Sequence, residues 1–274
     1  MTRPRHALDD WARLRRRLQD AKPLLLLADY DGTLAPIAPT PSQARLPLRV
    51  KSLLHRLSRV EGVQVGIVSG RAAETIRRLV GLSGVIYVGN HGAEILGPNL
   101  RFVHRDVRRS RPAIRRLDSV LRRVLRDVPG CLVEAKGWSL SVHWRLVRPR
   151  ELPRCSLILK SVLRPWLAQR KIRVTHGKCV TEIRAPVDWD KGRSVGWLLQ
   201  RTAPSHRPTA WYLGDDRTDE DAFRAVNRLR GVSIFVGPRS TPTAARWRLR
   251  SPREVALLLN RLLRERWSPN KSAG

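Results

Sequence analysis

The stretch LLLLADYDGTLAP (residues 24–36) places four leucines in a row and then two acids one residue apart. A continuous apolar run of this length, without alternation, is typical of a strand buried on both faces, as in a parallel sheet. The carboxyl ends of such strands border the crevice in which ligands bind. The stretch therefore predicts a parallel strand over 24–30, with Asp29 and Asp31 at its crevice edge.

Other apolar runs of strand length follow the same pattern, each ending in glycine or polar residues. Stretches with helical periodicity lie between them, which indicates an α/β fold with an open, Rossmann-like parallel sheet. The predicted strands are 24–30, 63–70, 85–90, 211–216 and 232–237, and the predicted helices are 47–60, 71–80 and 217–229.

The middle of the chain has a different order: helix, two strands, helix, two strands. This order is typical of an α+β unit, and the alternation in SLSVHWRLV fits a half-exposed antiparallel sheet. We predict an inserted domain over 107–185 and a core domain formed by 1–106 and 186–274. Within the insert, helices are expected at 109–127 and 150–170, and strands at 131–136, 139–147, 171–177 and 178–186.

The composition limits the class of protein. The 274 residues carry a net charge of +31, with 46 arginines against 8 lysines. Such a field attracts polyanions, but it also fits solvated faces of an arginine-rich composition, and no nucleic-acid signature accompanies it. The sequence thus predicts no specific nucleic acid partner. No apolar run approaches the roughly 18 residues that cross a bilayer, so no membrane partner is expected.

Cysteine usage indicates the compartment. Cys131, Cys155 and Cys179 are odd in number and include no C-x-x-C pair, which argues against a disulfide framework and a zinc site. A soluble protein of the reducing cytoplasm is expected. A monomer is favoured, although the sequence leaves the oligomeric state open.

Asp29 and Asp31 carry the first chemical signal. Asp-Gly is a common turn pair, so both acids can be read as turn residues. Two carboxylates this close also repel unless a cation or a proton lies between them, and Mg²⁺ is a natural partner for hard oxygen ligands. A carboxylate can attack phosphorus, and a neighbouring acid can protonate the leaving alcohol.

A second acidic cluster, GDDRTDEDAF (214–223), again follows an apolar strand and holds five acids between positions 215 and 221. The favourable interaction of acids with a helix N-terminus accounts for Asp219, Glu220 and Asp221. It accounts less well for Asp215 and Asp216, which fall at the junction of strand and loop. Acids at two strand ends of one parallel sheet predict a magnesium site.

Two further features indicate phosphate chemistry. In SGR (69–71), Ser69 and the backbone N–H groups at a helix start can cradle a phosphate, or Ser69 can act only as an N-cap. Lys191 is expected in the first turn of a helix, where a cation costs roughly 0.3–1 kcal/mol, so it either holds an anion or is a solvated surface lysine. With the acids, these groups fit Mg²⁺-assisted phosphoryl transfer.

The motifs DYDGTL, SGR, DKG and GDD, in this order, resemble the haloacid-dehalogenase superfamily of phosphatases. Together with GNHGAE, EAKGWSLSVHWR, HGKCVTEIR and GDDRTDEDAF, they resemble the trehalose-6-phosphate phosphatases over about residues 24 to 260. The resemblance implies a haloacid-dehalogenase-type core with an inserted α+β cap domain. It implies Mg²⁺-dependent hydrolysis of a small-molecule sugar phosphate, trehalose 6-phosphate, through an aspartyl-phosphate.

The resemblance also implies roles for individual residues. Asp29 is the nucleophile and a metal ligand, and Asp31 is the general acid/base and offers its backbone carbonyl to the metal. Lys191 neutralises the phosphoryl group and orients Asp29. Phosphate contacts are implied for Thr33, Ser69, Gly70 and Lys191; metal contacts for Asp215 directly and Asp216 through water; and substrate contacts for Arg71, Asn90, His91, Gly92, Glu134, Lys136, Arg145, Lys178 and Glu182.

Residue chemistry bears on the sugar contacts as well. Glu134 and Lys136 share one strand face by the two-residue period, as do Lys178 and Glu182, and paired charges can bind sugar hydroxyls. The alternative is cross-strand ion pairing on an exposed sheet. Two rival functions stay open: a phosphatase for another small sugar phosphate, and a catalytically silent polyanion-binding protein. Every expected catalytic position is occupied, which argues against the second.

Overall fold

The computed structural model describes residues 3–19, 23–38, 40, 43–177, 179–202 and 208–266. The chain divides into two compact units, one formed by Met1–Phe102 with Trp189–Gly274 and the other by Val103–Asp188. The sequence places the boundaries of the insert at 107 and 185. That these units correspond to a core domain and an inserted cap domain stays our proposal.

A mixed sheet forms the centre of the larger unit. Among the described residues it has nine strands in the order β1-β13-β12-β11-β2-β3-β4-β5-β6, and its pairs are parallel from β1 to β4. Strand β5 runs antiparallel to β4. The strands are β1 Arg5–His6, β2 Leu24–Asp29, β3 Val63–Val68, β4 Ile86–Gly89, β5 Glu94–Gly97, β6 Leu100–Val103, β11 Thr209–Gly214, β12 Val232–Val236 and β13 Trp247–Leu249.

Strand β2 is buried along its whole length, because both faces of the sheet are covered. Leu24, Leu26 and Ala28 join one apolar cluster. Leu25 and Leu27 join the cluster on the opposite face. A strand with two buried faces has no solvent side on which polar residues would be favourable, which explains the unbroken run of leucines.

The helices of the larger unit form the two outer layers. Residues of α1, α2, α3 and α8 belong to the first cluster, and residues of α6 and α7 belong to the second. The sheet therefore lies between two helical layers, as in other open α/β folds. These helices are α1 Trp11–Gln19, α2 Leu48–Leu57, α3 Ala73–Val80, α6 Lys191–Thr202, α7 Glu220–Arg228 and α8 Pro252–Arg266.

The register of the central strands brings three loops to one sheet edge. Asp29 pairs with Val68 of β3, and the preceding Ala28 pairs with Leu213 of β11. The residues that follow β2, β3 and β11 therefore leave the sheet side by side. They include both acidic motifs and the SGR segment.

The smaller unit is built around an antiparallel sheet, which has four strands in the described part of the chain, in the order β7-β8-β10-β9. Helices α4 and α5 contribute to one apolar cluster with side chains of this sheet, so both helices cover the same face. The elements are α4 Arg105–Val124, β7 Leu132–Ala135, β8 Leu140–His143, α5 Leu152–Ala168, β9 Arg173–Gly177 and β10 Val180–Arg184.

The α/β fold class is confirmed, and each predicted strand and helix has a counterpart in the structure whose bounds differ by a few residues. Strands β1 and β13, the β5–β6 pair and helices α1 and α8 were not predicted from the sequence. In the described part of the chain, no helix has the length and apolar character needed to cross a membrane.

Candidate active site

A buried lysine joins two acids at the edge of the nine-stranded sheet. Lys191, the first residue of α6, donates from Nζ to Oδ1 of Asp29 at 2.5 Å and to Oδ1 of Asp219 at 2.6 Å. The side chains of all three residues are almost inaccessible to solvent, with exposed fractions of 3%, 8% and 0% respectively. Lys191 is therefore a buried bridge between two strand ends, and the surface-lysine alternative is wrong.

Asp219 has a complete set of hydrogen-bond donors. Its Oδ1 also accepts from the Tyr212 hydroxyl at 2.7 Å. Its Oδ2 accepts from the backbone N–H groups of Asp215 and Asp216 at 3.1 and 3.0 Å. A carboxylate satisfied in this way holds the loop after β11 and positions Lys191, so it contributes charge without offering a free oxygen to a metal.

Asp215 lies next to the loop that follows β2. Its Oδ1 accepts from the Thr33 hydroxyl at 3.0 Å. Gly32 has φ +91°, and a β-carbon at this position would overlap the Asp215 carboxylate. Both the positive φ and the close approach require glycine. One carboxylate oxygen from each of Asp29, Asp215 and Asp219 lies within 4.8 Å of the others.

The cluster has unbalanced charge. Three carboxylates and one ammonium sum to −2 when all are ionised. Burial raises the pKa of the Asp29 carboxyl well above its ordinary value, and this effect is larger than the lowering by the charge of Lys191. The charges of Asp219 and Asp215 raise the same pKa further. Burial, followed by the charge of Asp219, raises the pKa of Asp215 to about 7. Burial opposes the charge on Lys191, but the Asp219 and Asp29 carboxylates raise its pKa above the ordinary value.

These residues fit Mg²⁺. Carboxylate oxygens are the ligands that this hard cation prefers, and the three carboxylates offer one oxygen each within 4.8 Å of one another. Asp29 and Asp215 each keep one oxygen for which the structure gives no donor, whereas Asp219 is saturated. A divalent cation also cancels the charge of −2.

The structure brings the predicted phosphate segment and the GNHG segment together. Asn90 donates its backbone N–H to the carbonyl of Arg71 at 2.7 Å, and His91 donates to that of Ser69 at 3.1 Å. The His91 ring lies against Gly70, where a β-carbon would be 2.5 Å from it. Asn90, His91 and Gly92 all have positive φ, which is uncommon outside glycine. Such local strain is frequent at functional sites.

Ser69 is buried, and its Oγ accepts from the backbone N–H of Arg71 at 3.1 Å. The serine therefore stabilises the turn after β3, but it is not the N-cap of α3, because Ala72 occupies that position without a side-chain bond. Its hydroxyl proton is not used in that bond to Arg71, so the phosphate-binding reading is compatible with the structure.

Asp31 has a different environment from Asp29. Arg71 donates from Nε to Oδ2 at 2.8 Å and from Nη2 to Oδ1 at 2.6 Å, which is a bidentate pair. The Arg71 guanidinium is itself buried and lies 5.6 Å from the centre of the Tyr30 ring. The structure thus connects Arg71 to the predicted general acid, and its substrate role stays a prediction.

Asp216 does not join the three-carboxylate cluster. Its exposed side chain caps the short helical turn Arg217–Asp219, accepting from the backbone N–H of Arg217 at 2.6 Å. A metal contact through water stays a prediction for this residue.

The predicted sugar contacts in the smaller unit pair across strands. Glu134 is bonded to His143 at 2.8 Å, and Lys136 donates to both oxygens of Glu182 at 3.2 and 3.3 Å. These cross-strand contacts fit the alternative of ion pairing, except that Lys136 and Glu182 are buried rather than exposed. A role of these residues in sugar binding stays a prediction. Arg145 is exposed in the turn after β8, and Lys178 lies outside the described residues.

Two members of the buried network were not predicted from the sequence. Asp219 was interpreted as a favourable acid at a helix start, and Tyr212 was part of an apolar strand. The available signal was the spacing: Asp219 follows Asp215 by four residues, so one helical turn returns it towards the strand end. Nothing in the sequence distinguishes the Tyr212 hydroxyl from a surface phenol.

Comparisons with known proteins identify the family of this chain. Residues 27–253 match the family described as trehalose-phosphatase. The chain is 34% identical over 254 residues to probable trehalose-phosphate phosphatase D of Arabidopsis thaliana, covering 88% of this chain and 68% of that protein. It is 32% identical over 257 residues to trehalose 6-phosphate phosphatase RA3 of Zea mays, covering 88% and 70% respectively.

A solved structure supports the fold. The C-terminal domain of the C. albicans trehalose-6-phosphate phosphatase aligns with a TM-score of 0.80 and 24% identity, covering 96% of this chain and 98% of that one. With the match to the family over most of its length, the chain belongs to the trehalose-phosphatase family of phosphoric monoester hydrolases.

Proposed function

We propose that this protein hydrolyses trehalose 6-phosphate to trehalose and phosphate through an aspartyl-phosphate on Asp29. The observation that carries the proposal is the buried bridge of Lys191 between Asp29 and Asp219, beside Asp215. A buried carboxylate held by an ammonium at the open edge of a parallel sheet is suited to attack an incoming phosphorus atom. The relatives named above are trehalose-phosphate phosphatases, which supports the same substrate.

In the first step, an oxygen of Asp29 forms a bond to phosphorus while the bond from phosphorus to the sugar oxygen breaks. Asp31 donates its carboxyl proton to that leaving oxygen. Lys191 keeps Asp29 in place and offsets charge on the phosphoryl oxygens, while Thr33 and Ser69 supply hydroxyl donors. The nearly complete burial of Lys191 makes these interactions stronger than they are in water.

In the second step, water attacks the same phosphorus atom and the bond to Asp29 breaks. Asp31, now a carboxylate, accepts the proton of that water, so the acid is ready for another cycle. Dividing one displacement into two gives each step a positioned nucleophile and a positioned proton carrier.

The Arg71–Asp31 pair sets a condition on this sequence of steps. Both carboxylate oxygens of Asp31 accept from Arg71 in the structure, whereas the first step needs one of them to face the leaving oxygen. The proposal therefore requires the pair to loosen when the sugar leaving group is bound next to Asp31. Arg71 is the residue that keeps Asp31 in a single conformation before that event.

Asp29 and Asp215 are the side chains that would hold Mg²⁺, with the Asp31 carbonyl as the predicted backbone ligand. When bound, Mg²⁺ supplies positive charge that offsets the carboxylates and the phosphoryl oxygens. The net charge of −2 of the buried cluster supports a divalent ion at this position.

We assign sugar recognition to the polar residues of the smaller unit, including Glu134, Lys136 and Glu182. In the structure Lys136 donates to Glu182, and Glu134 is bonded to His143, so each residue has a hydrogen-bond partner that a sugar hydroxyl can replace. The partner is then a small-molecule sugar phosphate. We also place the protein in the cytoplasm, because Cys131, Cys155 and Cys179 are all free thiols.

Phosphate release across a substrate panel tests the proposal. Trehalose 6-phosphate should be hydrolysed faster than glucose 6-phosphate, mannose 6-phosphate and sucrose 6-phosphate at equal concentration. Treatment with a chelator should stop the reaction, and Mg²⁺ should restore it. A preference for another member of the panel would keep the mechanism and replace the substrate.

The covalent intermediate has its own test. Trehalose 6-phosphate labelled with ³²P, quenched with acid during turnover, should leave label on the protein that hydroxylamine removes, as expected for an acyl phosphate. The Asp29→Asn variant should stay folded, take up no label and lose roughly 10⁴-fold or more in kcat. Activity retained by Asp29→Asn would refute the role of this residue.

A further inference from the structure

Helix α4 of the smaller unit contains a repeat that the phosphatase chemistry does not use. The sequence over 107–127, which extends three residues past the end of α4, reads VRRSRPA, IRRLDSV, LRRVLRD. Each seven-residue unit starts with a buried apolar residue, in turn Val107, Ile114 and Leu121. A pair of arginines follows each of them. The apolar positions pack into the cluster shared with the sheet and α5.

The arginine pairs form two parallel rows on the outside of the helix. The six side chains, Arg108, Arg109, Arg115, Arg116, Arg122 and Arg123, are all exposed. A seven-residue repeat advances about 10.5 Å along the helix, and adjacent residues are separated by about 100° around it. On a helix about 10–12 Å in diameter, the two rows therefore run roughly 8 Å apart, and longer side chains carry the charges further apart.

Few acids neutralise these rows. Helix α4 has eight arginines and two aspartates. Arg122 pairs with Asp118 at 2.8 Å, and Arg109 pairs with Asp106 at 3.5 Å. In the part of the chain that the structure describes, four of the six side chains have no carboxylate oxygen within 4.0 Å. They are Arg108, Arg115, Arg116 and Arg123, and they are called the free arginines below.

The chemistry of the rows selects among anionic partners. The guanidinium group matches phosphate oxygens through bidentate bonds. Helices that insert into a lipid surface present apolar side chains towards it, whereas the periodic apolar residues of α4 point into its own unit. Two rows of cations on one helix instead match the two phosphate rows that border the major groove of B-DNA, which is about 12 Å wide and admits a helix.

We propose that the outer face of α4 binds the phosphate backbone of double-stranded DNA without sequence preference. Helix α4 contains no Asn or Gln, the side chains that pair with adenine edges, and we assign its exposed arginines to phosphate oxygens rather than to guanine edges. Its arginine pairs repeat at one interval, as required for a periodic backbone. This binding is electrostatic, so it weakens with salt in proportion to the number of phosphates that are contacted.

The test compares two variants that lose the same charge. In the first, all four free arginines are replaced by Gln, a helix former. The matched control replaces Arg13, Arg49, Arg228 and Arg253 by Gln; these residues are exposed and lie on helices of the larger unit. Both variants of the full chain have a net charge four units lower. Far-UV circular dichroism and phosphate release should be unchanged in both.

Binding is measured by fluorescence anisotropy with a labelled 24-base-pair duplex of mixed sequence, between 50 and 200 mM NaCl. The α4 variant should lose at least 30-fold in affinity at 100 mM NaCl, and its slope of log K against log salt should fall by about 3.6, since each of the four lost phosphate contacts removes about 0.9. The control variant should lose less than threefold. A second duplex of unrelated sequence should bind equally well.

Two results would overturn the proposal. Equal losses in both variants would mean that net charge, and not α4, attracts the duplex. Binding of wild type to vesicles containing 30% phosphatidylserine, with no duplex binding in the same buffer, would assign the surface to anionic lipid instead.

Discussion

The buried edge of the nine-stranded sheet and the outer face of α4 treat charge in opposite ways. At the sheet edge, the Lys191 ammonium and the Asp219 carboxylate are almost fully buried and have specific partners at short distances. On α4, arginines are exposed and mostly lack an acid. Removing one partner of a buried pair leaves an uncompensated charge, whereas one exposed charge contributes little alone. Single substitutions should therefore matter at the first site, and only combined ones at the second.

The largest effect is expected for Lys191→Met. Loss of this ammonium leaves Asp29 and Asp219 buried without a cation, so the free energy of unfolding should fall by about 3–5 kcal/mol, with phosphate release near background. Urea titration measures the change. The control is Lys160→Met on the exposed side of α5, which should be within about 0.5 kcal/mol of wild type. Similar losses of unfolding free energy in both variants would show that the buried lysine contributes no more to stability than an exposed one.

Asp215 should make the metal-free protein less stable as pH rises. Its pKa is about 7 in the folded state against 3.8 for an ordinary aspartate. A raised pKa contributes stability that is present below about pH 4 and is lost as pH rises through about 7. Relative to Asp215→Asn, wild type in chelator should lose on the order of 2–4 kcal/mol between pH 4 and 8. Parallel stability curves for the two proteins would contradict the assigned burial.

A smaller effect is expected for Tyr212→Phe. The hydroxyl donates to the buried Asp219 carboxylate, and a bond to a charged group contributes about 1.5–3 kcal/mol. The kcat should fall about tenfold while KM is unchanged, because Asp219 holds Lys191 rather than substrate. Tyr87→Phe, which removes a hydroxyl bonded to the carbonyl of Leu82 at 2.7 Å, should lower stability without changing kcat. Equal kcat losses would show that the effect of Tyr212 is not specific to the network.

The smallest effect is expected for Arg122→Gln. It removes one exposed pair with Asp118, four residues earlier on α4, and such pairs contribute about 0.3–0.5 kcal/mol. Arg115→Gln, which removes an arginine without an acid, should leave the free energy of unfolding unchanged within error. A loss above about 1 kcal/mol in either variant would mean that single arginines of α4 contribute to stability as strongly as buried charges do.

Much of the sheet edge could be predicted from the sequence, because the pattern of strands determines which residues meet. Three local signals in the sequence point to the same edge of the sheet. They are the buried run before Asp29, the glycine at 32 and the second acidic strand end at Asp215. The register then brings them together. The helical start at Lys191 was predicted in the same way.

Side-chain partners were harder to predict, since they depend on register and rotamer. Arg71 was assigned to substrate, and its bidentate pair with Asp31 depends on how the loops after β2 and β3 lie against each other. The pairing of Lys136 with Glu182 depends on the β8–β10 register, which brings Glu182 opposite Ser141. The short β1 strand has two residues, too few for a periodic signal.

The pairing of β2 with β11 has a consequence for synthesis. Leu24 is paired with Thr209, so one edge of β2 has no hydrogen-bonding partner until the ribosome has made residues 209–214. During that interval an apolar strand with an open edge is available for incorrect pairing with other chains. A nascent chain stopped after α6 should accordingly need a holding chaperone, and extension of the chain past the end of β11 should end that requirement.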